Sequence, residues 1–452
     1  MQQLLYGSAD QITGRSVGGW GTLQATPDLT PETRKALLAL TSVALPVTLP
    51  QFPSAWQLAT RAVRFRSDPQ GSLYAACRSA EAGTDHTGRP GNVVSHCALV
   101  EAVDGVRPVD WFFAEGWAAP FGPRQIAETR LPDRLTAPGG WADTARWLRA
   151  DPGRIARIRW IVDVAFALLL DTRRVLLVAP STEEAARWVS VLSWLLDSDL
   201  AGQVRIRIGE DPHTAVEQLA TTPVLVTVDA PLDPASLRGL PQIDVSWQLD
   251  AEEAARTGHW LLPTGQSMAA SRITGLAVDL VYADREVAQA VFTKRDEMIR
   301  RYIAAGHPLM VRDELIFLQA AWLTTPGAQE LARVDPIRQL LGAVNDDVLR
   351  WDELVALAEE VGLPAPGASP AADLDVYSMP TEIVGPDTGE ADPLVAALVG
   401  AAALGRAGID VRGLLLSGQL TEQVAAQPEE LRQAARDIAA VLQPHATNRE
   451  DR

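Results

Sequence analysis

The stretch DHTGRPGNVVSHCALV, residues 85–100, gathers His86, Arg89, Asn92, His96 and Cys97 within a few positions. A thiol near imidazoles is the raw material of nucleophilic hydrolysis, in which a histidine activates the cysteine and a third polar group orients the ring. The spacing argues against the simplest version of that chemistry. In a strand over NVVSHCALV, neighbours face opposite sides, so His96 lies with Val94, Ala98 and Val100, and Cys97 with Val93, Ser95 and Leu99. Any thiol–imidazole pair would need His86, His213 or another distant histidine. The bland reading is favoured: Cys97 is a small core residue, near Cys77 if their two strands pair, and His96 is a satisfied structural histidine. A hydrolase using Cys97 or Cys77 is the second reading.

The loops offer binding rather than catalysis. GRPGN, 88–92, reads as a turn whose glycines admit unusual backbone angles and whose Arg89 and Asn92 can hydrogen-bond outward. YGS (Tyr6, Gly7, Ser8) and GRSVGGWG, 14–21, with Arg15 in it, read the same way. Loops on a rigid sheet carry function more often than the sheet does. Tyr6, Gly7, Ser8, Arg15, His86, Arg89, Asn92 and His96 are therefore the candidate partner or ligand residues. A small ligand would sit in a pocket rimmed by the GRPGN and YGS loops.

A second stretch raises phosphate chemistry. RRVLLVAPSTEEAARWVSVL, 173–192, reads as buried strand, turn and helix, the layout in which nucleotide-binding proteins cradle phosphate. A P-loop needs glycines, a lysine and a Ser or Thr for magnesium. Here the turn is Ala-Pro-Ser-Thr, and the two lysines, Lys35 and Lys294, follow Arg34 and Thr293. Proline has no N–H to offer. Ser181 with Glu184 makes a capping box, and Glu183 and Glu184 place negative charge at the positive end of the helix dipole. Asp229, after the strand VLVTVDA, stands where a magnesium-binding acid could follow, but a lone Asp there is more often a turn former. No nucleotide hydrolysis, metal or cofactor is expected.

The totals agree. With 452 residues and 47% hydrophobic content, two or three domains with real cores are possible. A net charge of -17 leaves no cationic stripe for nucleic acid or an anionic membrane surface. Two cysteines are too few for a disulfide framework, which fits a reduced cytoplasmic setting. The longest apolar runs, IVDVAFALLL and LVAALVGAAALG, are too short or broken to cross a bilayer, so no membrane insertion is expected.

The positioning elements divide the chain. Residues 1–150 suggest an α+β domain with a mostly antiparallel sheet, from short strands in TLQAT, VTLP, ATRAVRFRS, SLYAAC and NVVSHCALV and a helix starting at Pro31 after the cap Thr30. Residues 151–283 alternate helix and strand, implying a small α/β domain with parallel strands and a P-loop-like layout without phosphate-binding parts. Within it IDVSW and LAVDLVYA are further strand candidates. A helical region follows at 284–363, opening with an amphipathic helix whose wet side carries Asp296/Arg300 and Glu297/Arg301. Residues 364–393, with six acidic residues and no basic one, read as an acidic Pro/Gly linker, and 394–452 as a small helical segment.

LLYGSADQITGRSVGGWGTLQATPDLTPE, TGRPGNVVSHCALV and GWAAPFGP together resemble the N-terminal domain of the actinobacterial GTPase-associated proteins. RRVLLVAPSTEEAARWVSVLSWLLDSDLAGQ, followed by Glu210-Asp211-Pro212, resembles their middle domain. The resemblance spans roughly residues 1–250. It implies a regulatory or adaptor protein of a bacterial conflict system, partnered by a small GTPase encoded nearby and lacking an established active site. An arginine supplied in trans to that GTPase would come from Arg89 or Arg15. One departure is Arg205-Ile206-Arg207-Ile208, where the family strand is small, threonine-rich and aromatic; if that strand meets the partner, this chain's contact differs.

Overall fold

The computed structural model describes residues 1–10, 19–101, 105–136, 139–270 and 275–304, with short stretches at 317–318, 321–322, 325, 424–425, 427–429, 431–433 and 435–436. Arg15, the linker at 364–393, and most of the segments expected at 284–363 and 394–452 lie outside the described residues. The chain forms two compact units, Met1–Ala270 and Ser271–Arg452.

The first unit opens with β1 (Gln3–Ala9) and β2 (Gly19–Ala25), then α1 (Pro31–Leu38) and α2 (Ala55–Ala59). Strands β3 (Val63–Gln70), β4 (Leu73–Glu81) and β5 (Val93–Glu101) follow, then a 3-10 helix (Pro108–Phe113), α3 (Gly122–Glu128) and α4 (Trp141–Arg149). Next come α5 (Pro152–Asp171), β6 (Arg174–Val178), α6 (Thr182–Leu195), α7 (Ser198–Gln203), β7 (Arg205–Ile208), α8 (Pro212–Gln218), β8 (Val224–Val228) and β9 (Ile243–Asp244). Helix α9 (Ala251–Thr257) and the hairpin β10 (His259–Leu261) and β11 (Ser267–Ala269) close the unit.

Nine of these strands form one sheet in the order β2-β1-β5-β4-β3-β7-β8-β6-β9. The N-terminal five pair antiparallel. The last four are parallel to one another. The two patterns meet where β3 runs antiparallel to β7, with Phe65 opposite Ile208 and Arg66 opposite Arg207. The composition change near residue 150 therefore falls inside one continuous sheet. VLLV and VLVTV are buried throughout because helices cover both faces, so they read as unbroken apolar runs rather than alternation. Helix α8 and the loop after β8 cover one face through Ala215, Leu219, Leu232 and Leu237 against Leu176, Val178, Val224, Val226 and Val228. Each such leucine or valine contributes about 1.5–3 kcal/mol on burial.

Several expectations are corrected. Tyr6-Gly7-Ser8 is not a turn but the middle of β1, paired with Thr22, Gly21 and Trp20. Gly7 marks a close approach: a Cβ there would meet Val93 O at 3.1 Å. VTLP, 47–50, is not a strand, because the Thr48 and Leu49 N–H groups donate to the Glu81 carboxylate at 3.1 Å rather than to a ladder. LAVDLVYA is helical, α10 (Gly275–Tyr282), with Leu276, Ala277, Leu280 and Val281 buried at helical spacing. Its β-branched valines mimic a strand, and tertiary burial overrides them.

In the second unit, α10 is followed by α11 (Arg285–Ala304), whose buried line runs Ala288, Val291, Phe292, Arg295, Ile299. Asp296, placed on the wet side by spacing, is bound by the Arg295 guanidinium at 2.7 Å, and Arg295 also lies over the Phe292 ring.

Candidate functional site

At the far end of β1 lies a groove of about 800 Å³ with an apolar floor of Leu23 and Ile126 and a rim of Asp10, His86, Arg124 and Arg130. Ser8 and Gln24 also line it. Ser8 and His86 are thus brought to one place. Arg124 pairs with Glu128 at 2.9 Å on the surface, a contact of small energetic weight. Arg130 Nη1 donates to the carbonyls of Ala127, Glu128 and Thr129 and so closes the C-terminal end of α3. Asp10, Gln24, Arg124 and Arg130 were not legible as site residues, since three distant segments converge only after folding.

The other candidates scatter. Tyr6 packs toward α1 beside Leu4 and Cys97 and meets Trp20 at 6.1 Å. Gly7 is buried. Arg89 is exposed on a loop held by Asp85, whose Oδ1 accepts from Thr87 N, Thr87 Oγ1 and Arg89 N. These bonds hold the Asp85 carboxyl below its ordinary value, the Thr87 hydroxyl contributing most. Asn92 is buried and donates to Ser8 O, tying the loop to β1.

His96 is fully buried. Its Nδ1 accepts from the Ala118 N–H at 2.9 Å, so Nε2 carries the proton and donates to Gln3 Oε1 at 2.9 Å, and Gln3 Nε2 passes the chain on to Pro132 O. Burial lowers its pKa to about 4. The ring is a neutral structural link, set edge-on to Trp117.

Cys77 and Cys97 face each other across β4 and β5 with sulfurs 2.8 Å apart, both buried under Leu37 and Leu40. Burial first, then the Cys77 contact, raises the Cys97 thiol well above its ordinary value. His213, exposed on α8, has its Nε2 3.4 Å from Glu217. The thiols are expected to label by less than a tenth in native protein over an hour with a mild alkylating reagent at pH 7.5, and completely in denaturant. Rapid native labelling at neutral pH would restore the hydrolase reading.

The join between β3 and β7 holds a buried ionic cluster that the alternating arginines of VRFRS and RIRI signal in the sequence. Glu210 takes a two-point contact from Arg66 at 2.6 and 2.8 Å, a third from Arg64 at 3.3 Å and the Thr214 hydroxyl at 2.9 Å. Arg64 also bonds Gly209 O and Asp211, and Asp211 caps α8 through His213 N and Thr214 N. Gly209 has φ +73° and stands so close to β3 that a Cβ would lie 2.8 Å from Val63 O. Arg207 bonds Asp68 and Gln218 at 2.6 Å. The charged strand RIRI is an internal strand cementing the sheet.

The strand–turn–helix crest is closed by its own residues. Ser181 Oγ accepts from Glu184 N at 3.1 Å, and Thr182 Oγ1 donates to Val63 O at 3.2 Å. The Glu184 carboxylate, expected to turn back to the cap, accepts instead from the Trp188 indole at 3.4 Å. Glu183 and Glu184 occupy the first turn of α6. Asp229 is exposed past β8. Among the described residues no group of three or more His, Cys, Asp or Glu is placed to hold a metal ion, and no helix is long and apolar enough to cross a membrane.

Residues 1–136 match the family described as GTPase-associated protein 1, N-terminal domain type 2. This N-terminal region belongs to that family. The groove beside Ser8 and the His96 link both lie within the GTPase-associated domain. SaeB of Mycolicibacterium smegmatis strain MKD8, named as an ESX-1 scaffolding and assembly protein, is 30% identical over 218 residues, covering 45% of this chain and 26% of SaeB. SaeB of a second strain of that species is 29% identical over 218 residues with the same coverage. The chain thus spans about a quarter of the length of these relatives. No solved structure matches it significantly.

Proposed function

We propose that this chain is a non-enzymatic adaptor or scaffold that docks a GTPase through the surface around the Ser8–His86 groove, with Arg89 on the adjoining loop reaching the partner. The observation that carries the reading is the closed crest at Ser181: the Ser181 and Thr182 hydroxyls are engaged within the chain, and two glutamates put negative charge in the first turn, where a nucleotide's phosphate would meet the helix. Support comes also from a family named for association with GTPases and from relatives named for scaffolding and assembly. The conflict-system setting implied by the resemblance belongs to the same proposal.

The test titrates the full chain against a candidate partner GTPase loaded with GDP or a non-hydrolysable GTP analogue. Binding is expected, tighter in one nucleotide state, with no GTP hydrolysis by the chain alone. If Arg89 acts in trans, Arg89→Ala lowers the partner's stimulated hydrolysis by about 10³-fold; an unchanged rate and affinity remove Arg89 from the proposal while leaving the adaptor role. Hydrolysis by the purified chain above buffer background would overturn the non-enzymatic reading.

A second reading rests on the groove itself, whose volume of about 800 Å³ and apolar floor with a polar rim suit a small ligand. A concentration-dependent rise in thermal midpoint with a candidate ligand, lost in Ile126→Asp, supports a sensor role.

A further inference from the structure

Arg78 sits on β4 opposite Phe65 of β3 and His96 of β5. Arg61 comes just before β3, and the bond from Glu81 N to Ala62 O carries the β3–β4 pairing past the start of that strand. Side chains alternate along a strand, so Val63 and Phe65 share a face with Ala80 and Arg78, and Arg61 stands at the bend leading into β3.

Both guanidinium groups are half-buried, and among the described residues neither makes a hydrogen bond or an ion pair. Arg61 Nη1 and Arg78 Nε are buried without a partner. The Arg78 guanidinium lies over the Phe112 ring, 5.5 Å from its centre. Burial lowers both arginines below their ordinary value; for Arg78 the positive charge of Arg61 adds to this, and for Arg61 the charge of Glu81 works against it.

The opposite face of the same strands treats arginine differently. There Arg64 and Arg66 are bound to Glu210 and Asp211, and Arg207 to Asp68. Among the described residues no carboxylate forms an ion pair with Arg61 or Arg78, and Glu81 reaches Arg61 only through its charge. Buried donors without acceptors are costly, and two like charges held together add to that cost. An external anion at the accessible nitrogens of the two groups offsets the like charges.

We propose that Arg61 and Arg78 form a receptor for a phosphate group, supplied from outside the chain. The two guanidinium groups carry two positive charges, which a single carboxylate would only half neutralise. A phosphate at neutral pH brings close to two negative charges and several acceptor oxygens. The site lies apart from the Ser8–His86 groove and stands whether or not the adaptor reading holds.

The experiment follows thermal unfolding of the full chain at pH 7.5 in sodium phosphate and in sodium chloride of equal ionic strength, for the wild type, Arg61→Gln and Arg78→Gln. Phosphate is expected to raise the wild-type midpoint by about 2 °C over chloride and to leave both variants unmoved. In chloride, Arg61→Gln should be at least as stable as the wild type, because it removes a like charge. A GDP arm separates the sources: a response at tenfold lower concentration than phosphate assigns a nucleotide's phosphate, and an equal or weaker one assigns the free ion. The proposal is overturned by no wild-type shift, by a shift that survives in both variants, or by marked destabilisation of Arg61→Gln in chloride, since that would make the guanidinium a structural strut.

Discussion

Glu210→Ala is expected to destabilise the first unit by about 3–5 kcal/mol, the cost of stripping a buried carboxylate from charges that remain behind. Glu210 is 2% exposed and receives Arg66 at two points and Arg64 at a third. Burial alone would raise its carboxyl, but the Arg66 hydrogen bonds and the charges of Arg66 and Arg64 outweigh that and hold it below its ordinary value. Without it, Arg66 keeps Thr41 O and Arg64 keeps Asp211, so Arg66 is left most exposed to the loss. Because these side chains join β3 to β7, the damage should loosen the join between the antiparallel and parallel parts of the sheet. Urea unfolding followed by tryptophan fluorescence is the measurement; Glu210→Gln, which keeps the shape, should cost less than Glu210→Ala. A loss under about 1 kcal/mol for the alanine variant would show that the cluster does not hold the sheet together.

The second large effect is acid lability centred on His96. Its folded pKa is about 4 and its unfolded pKa is the ordinary value of 6.5, so the unfolded chain binds a proton that the folded one refuses. Stability is therefore unaffected above pH 6.5 and falls as the pH drops from 6.5 to about 4. The full loss over that window is about 3 kcal/mol, from 2.5 pH units at 1.36 kcal/mol each. Glu210 acts in the same direction at lower pH: its depressed pKa contributes stability above the ordinary carboxylate value that disappears as pH falls through the folded one. Urea midpoints measured from pH 7 to pH 4 should fall in the wild type and stay flatter in His96→Gln. Parallel profiles for the two proteins would mean that His96 is not the group responsible.

Local pattern accounts for much of what was legible. Thr30 before Pro31, and Ser181 before Glu184, announced helix starts that the structure contains. Unbroken apolar runs announced β6 and β8, and strand alternation placed His96 and Cys97 on opposite faces. The lack of glycine around Pro180 already argued against a phosphate cradle there. Local pattern also misled: Gly7 looked like a turn, VTLP and the valines of LAVDLVYA looked like strands, and spacing put Asp296 on the wet side of its helix.

Periodicity, caps and charge counts are properties of neighbours along the chain, so the sequence by itself determined the strand–helix alternation, the antiparallel-then-parallel character and the filled crest at Ser181. The tertiary structure decided what depends on partners far apart in sequence. It alone set Glu210 against Arg66, 144 positions away, and joined both strand patterns into one sheet. Only the folded register could show that Arg64, Arg66 and Arg207 are paired with acids while, among the described residues, Arg61 and Arg78 make no ion pair, because a side chain's electrostatic fate is fixed by what packs across the sheet from it.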